Sequence, residues 1–139
     1  MFHKIMVEYD ESPEAGKALE TAIELARCLG GELKIVTIIE PLPAYYSFAT
    51  IALPASEWSE EKREEYVSLQ AKARQLAKAA GLWLDTEIVD GDEVCGIIEC
   101  ARRYRADLLV VGMRKHTLLM GHTAQDVAER SPCALLGVR

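Results

Sequence analysis

Apolar residues along the chain follow two periods in alternation. Residues 3–9 (His-Lys-Ile-Met-Val-Glu-Tyr) read as a strand. Asp10-Glu11 turn the chain, Ser12 caps a helix, Pro13 takes its first position and Glu14 its first turn. Ala15, Ala18, Leu19, Ala22, Ala26 and Leu29 keep helical spacing until Gly30-Gly31, where glycine accepts the left-handed cap without steric cost. Leu33 to Ile39 is a second strand, rich in β-branched residues. A second helix starts at Ser56 or Ser59 and runs to about Ala80, with Tyr66, Leu69, Ala73, Leu76 and Ala80 as its predicted apolar stripe. Trp83 to Val89 is a third strand. Gly91-Asp92 open a third helix with Val94, Ile97, Ile98 and Ala101 on one face. Asp107 to Gly112 is a fourth strand, whose Leu-Leu-Val-Val run lacks alternation, as expected when both faces are covered. A short helix from Thr123 to Arg130 and a fifth strand from Cys133 to Val138 complete the pattern.

Strands joined in turn by helices predict one α/β domain over residues 1–139. It is a three-layer, doubly wound sandwich with a five-stranded parallel sheet and right-handed crossovers. Ligands of such sheets sit beyond the carboxyl ends of the strands, where the strand order reverses. That rule points to Asp10, the stretch from Ile38 onward, and the loop from Gly112 to Gly121. The fifth strand, Ala134-Leu135-Leu136-Gly137-Val138, is apolar and ends at Arg139. At a sheet edge it would expose unpaired backbone groups, so a homodimer through strand five (Cys133 to Val138) is expected.

Composition narrows the function. The 139 residues are 50% hydrophobic and 27% charged, typical of a folded domain. A net charge of −6 without a Lys/Arg block excludes a nucleic-acid partner. No apolar run reaches the roughly 18 residues of a membrane span, and the start lacks signal-peptide regions, so no membrane partner and a cytoplasmic location are expected. Cys28, Cys95, Cys100 and Cys133 form no CxxC pair and are expected to be reduced and packed as small apolar residues. His116 and His122, even with Glu8 or Asp10, match no zinc spacing, and no metal is expected. No P-loop, nucleophile elbow or spaced catalytic set is present, so no enzyme is expected. A phosphoryl receiver would need a Lys after strand five to accompany Asp10, Glu11 and Asp90, and none follows. Tyr45, Tyr46, Phe48 and Ile51 lie between Pro43 and Pro54. They are read as a cover for the core, with a lid or a protein-partner contact as the alternative.

Several motifs, in order along nearly the whole chain, resemble the universal stress protein family. They are the strand followed by Asp10-Glu11-Ser12-Pro13-Glu14, then Gly91-Asp92-Glu93 with Ile97, then Ala106-Asp107-Leu108-Leu109-Val110-Val111-Gly112. The last is Gly121 to Arg130 followed by Ser131-Pro132-Cys133. The resemblance implies a fold of the adenine-nucleotide-alpha-hydrolase-like (HUP) type with strand order 3-2-1-4-5. It also implies a dimer through strand five and a role in stress endurance or regulation.

The family's nucleotide-binding branch carries Gly-x2-Gly-x9-Gly-[Ser/Thr], so the resemblance puts Asp10, Ile38, Gly112, Lys115, Gly121, His122 and Thr123 at the cofactor position. The match is incomplete. Lys115 replaces the second glycine, and five residues rather than nine separate it from Gly121. His122 replaces the hydroxyl residue, with Thr123 beside it. Glu8, Asp10 and Glu11 would repel a polyphosphate, while Arg114, Lys115, His116 and His122 could hold an anion by charge. Two readings stay open: a non-catalytic stress-response or regulatory dimer with a degenerate nucleotide site, and an ATP- or AMP-binding sensor with an altered phosphate loop.

Overall fold

The fold was examined in a computed structural model, which describes residues 1–41, 55–114 and 123–139. The elements are β1 (Lys4–Glu8), α1 (Pro13–Leu29), β2 (Glu32–Ile39), α2 (Ala55–Ala79), β3 (Leu84–Asp90), α3 (Glu93–Tyr104), β4 (Leu108–Gly112), α4 (Thr123–Arg130) and β5 (Ala134–Val138). The strands form a five-stranded sheet in the order β3-β2-β1-β4-β5, with every pair parallel. The expected architecture is therefore present, with strand boundaries displaced by about one residue.

Period-two alternation splits the core into two layers. Ile5, Val7, Leu33, Ile35, Leu84, Leu108 and Val110 meet the Ala15, Ala18, Leu19, Ala22 face of α1 and the Ala73, Ala77 face of α2. Met6, Val36, Ile38, Leu109 and Val111 meet Ile97, Ile98, Cys100 and Ala101 of α3 and Val127 of α4. Helix α1 is tied at both ends. The Ser12 hydroxyl accepts from the Ala15 N–H at 3.2 Å, and Gly30 at φ 67° closes the other end with its N–H on the Ala26 carbonyl. Asp107 explains its place in the motif. Its carboxylate accepts from the N–H groups of His3 (2.8 Å) and Lys4 (3.0 Å), and its own N–H returns to the Lys4 carbonyl. It thereby locks the amino ends of β1 and β4 together.

The predicted stripe of α2 is displaced. The buried positions are Tyr66, Gln70, Ala73 and Ala77, whereas Leu76 is 51% exposed. Gln70 is buried because its amide donates to Thr37 Oγ1 (2.8 Å) and to the Glu87 carbonyl (3.0 Å), so a polar residue fills a core position at no unpaired cost. The cysteines also divide. Cys100 is buried and Cys133 is half-buried, with burial raising both thiols, but Cys28 and Cys95 are exposed rather than packed.

The two sheet edges differ in kind. Edge strand β3 carries Glu87, which pairs with Lys34 (2.8 Å) and Arg103 (2.6 Å), and Asp85, which reaches Lys34 at 3.4 Å. Edge strand β5 carries no charged side chain and leaves Ala134 and Gly137 exposed and Leu135, Leu136 and Val138 half-buried.

Candidate functional site

Strand order places the reversal between β1 and β4. From β1 the chain continues to β2 and β3 on one side, then crosses back to β4 on the other. The carboxyl ends of β1 and β4 therefore lie side by side at the point where open α/β sheets hold ligands in a cleft.

Asp10 follows β1 at that point, with its side chain 13% exposed. One carboxylate oxygen accepts from the Ser12 N–H at 2.8 Å, which sets the turn and positions the α1 cap. The other oxygen forms an ion pair with the Arg114 guanidinium. Arg114 is the described member of the expected anion-holding group, and here its charge is directed at Asp10. Ile38 is 8% exposed in the α3 core layer, where Gly96 of α3 leaves room for it: a Cβ on Gly96 would come within 2.8 Å of Ile38 Cδ1.

Gly112 has a packing role that the sequence motif conceals. A Cβ there would lie 2.6 Å from the Glu14 carbonyl carbon and 2.8 Å from the Ala15 nitrogen. The end of β4 thus crosses directly over the first turn of α1, and only glycine permits that approach. Thr123 begins α4. Lys115, Gly121 and His122 lie outside the described residues, as do His116 and the aromatic stretch Tyr45 to Ile51.

Glu8 is the residue whose setting is least ordinary. It ends β1 on the same face as Met6, toward α3, and is 7% exposed. Burial, the Glu93 carboxylate and, to a smaller degree, Glu11 push its carboxyl up from 4.5 to about 7, while the Arg114 charge opposes the rise. Glu93 is the first residue of α3, after the N-cap Asp92, whose carboxylate accepts from the Cys95 N–H at 2.9 Å. One carboxylate oxygen each from Glu8, Asp10 and Glu93 lies within 4.8 Å of the other two. The sequence names Glu93 only as part of a helix-entry motif. Its convergence with Glu8 follows from the β3-to-β4 crossover, which carries the start of α3 over the end of β1, and no local signal encodes that.

Among the described residues, no helix is long and apolar enough to cross a membrane.

The Universal stress protein family matches residues 1–139. A universal stress protein of Thermus aquaticus is 30% identical over 146 residues, covering 100% of both chains. The universal stress protein UspA from Lactobacillus plantarum shares the fold at a TM-score of 0.83, with 23% identity over 99% of this chain and 98% of its own. A universal stress protein solved in complex with cAMP aligns at a TM-score of 0.72 with 27% identity, covering 99% of this chain and 97% of its own. By motif, topology and full-length similarity, this chain belongs to the universal stress protein family.

Proposed function

We propose that this protein is a non-catalytic stress-response regulator that acts as a homodimer, with a switch-point cleft unsuited to a triphosphate. The observation that carries this reading is the floor of the cleft. Glu8, Asp10 and Glu93 present carboxylates where phosphates would approach, and the described counter-charge, Arg114, is paired with Asp10. Carboxylates gathered at such separation repel a polyanion, and the more so as Glu8 ionises.

A second reading draws on one observation, the relative solved with cAMP at 27% identity. A nucleotide with a single phosphate brings less charge, and Arg114 could exchange Asp10 for it. Calorimetry with ATP, AMP and cAMP on metal-free protein separates the two. Silence with all three at millimolar ligand supports the regulator. Micromolar binding of AMP or cAMP replaces it with a mononucleotide sensor, and micromolar ATP binding contradicts both.

The dimer seam is assigned to β5, whose apolar edge contrasts with the charged β3 edge. Sedimentation equilibrium at micromolar concentration should give twice the 15.4 kDa chain mass. Ala134→Lys, which sets a charge on that exposed edge, should give a monomer with unchanged circular dichroism. A wild-type monomer at that concentration would remove the dimer from the proposal.

A further inference from the structure

We propose that Glu8, Asp10 and Glu93 form a binding site for a hard divalent cation of about the size of calcium, held by protein carboxylates without any nucleotide. Two observations support it independently. The first is convergence from separate parts of the chain: the end of β1, the turn after it, and the start of α3 bring one oxygen each within 4.8 Å of the other two. The second is the state of Glu8. It is 7% exposed, yet among the described residues no hydrogen bond or close ion pair satisfies its carboxylate; the influences on it are burial and neighbouring charges. No fully buried side-chain oxygen lacks a partner among the described residues, so the Glu8 oxygens keep a small contact with solvent. A buried carboxylate aimed into a carboxylate cluster is an expensive arrangement that a cation relieves.

Ligand type selects the ion. An all-oxygen, carboxylate set suits hard cations rather than zinc or copper. The ligand oxygens lie within 4.8 Å of one another, close enough to share one ion. Three protein carboxylates with no phosphate favour calcium, because magnesium keeps several waters and usually takes one or two carboxylates together with substrate phosphates. Asp10 can contribute while keeping its contacts to Ser12 and Arg114, because each carboxylate oxygen has a second lone pair. Water completes the shell.

The test is calorimetry of the nucleotide-free protein, stripped with chelator, titrated with CaCl2 and separately with MgCl2. One calcium site with a dissociation constant of about a millimolar or tighter is expected, with magnesium weaker. Glu8→Gln and Glu93→Gln should each weaken calcium by about tenfold or more. Glu99→Gln, an equal charge change at an exposed position of α3, should leave it unchanged. The site is overturned if calcium fails to saturate at about 10 mM, well beyond the weakest calcium modules, if Glu99→Gln weakens binding as much as Glu8→Gln, or if magnesium binds more tightly.

Discussion

Replacing Glu8 by glutamine should stabilise the chelator-treated protein by about 2–3 kcal/mol at pH 8 and change little at pH 4. The sign follows from proton counting. In the folded chain the Glu8 carboxyl ionises at about 7, against 4.5 when unperturbed. Between those values the folded state holds a proton that the unfolded state has released, so stability falls as pH rises across that window and stays lowered above it. The full difference corresponds to about 3 kcal/mol. Glutamine has nearly the same shape and does not ionise, so it removes the loss at high pH and has no comparable effect at low pH. In thermal denaturation the gain at pH 8 amounts to roughly 10 °C for a domain of this length. Subtracting the two pH profiles cancels the other titrating groups. A difference that stays flat from pH 4 to 8 would mean that Glu8 ionises at the same pH folded and unfolded and that the carboxylate cluster exerts no strain.

Gly112→Ala should cost about 3 kcal/mol. The added methyl meets the Glu14 carbonyl carbon at 2.6 Å and the Ala15 nitrogen at 2.8 Å, and these backbone atoms cannot rotate aside. Overpacking of this kind costs about 1–3 kcal/mol. The displaced turn is also the one that Ser12 caps, and losing such a cap costs about 1 kcal/mol more. Urea unfolding should show a lower midpoint at unchanged slope. Gly16→Ala provides the contrast. Gly16 lies inside α1 with nothing within 4 Å of a Cβ, and alanine there should stabilise by about 0.5–1 kcal/mol through helix propensity alone. If the two substitutions had equal effects, the close crossing of β4 over α1 would be wrong.

These two residues also show where sequence reading succeeds and where it stops. The element order was legible because each element carries its own period and punctuation: Ser12-Pro13 at one helix start, Asp92 at another, Gly30 at a helix end. The sheet order came through the family resemblance, since periodicity alone does not rank strands. The position of Gly112 was legible, but its reason was not. The motif suggests room for phosphate, and the structure shows room for α1. Glu8 was seen as an acid at the strand end. Its burial and its meeting with Glu93, 85 positions away along the chain, depend on a crossover that leaves no trace in spacing. The α2 stripe failed for a related reason, because Gln70 is buried by partners on β2 and β3 rather than by its own character.

The unlike edges of the sheet also bear on the size of the proposed assembly. A sheet with two adhesive edges can add copies without end, each new strand offering another template. Here the β3 rim presents Asp85 and Glu87 with their lysine and arginine partners, and the β5 rim is bare of charge. In the proposed β5 dimer, association would use the uncharged rim of each copy and leave charged rims facing outward, which favours a closed pair over a filament.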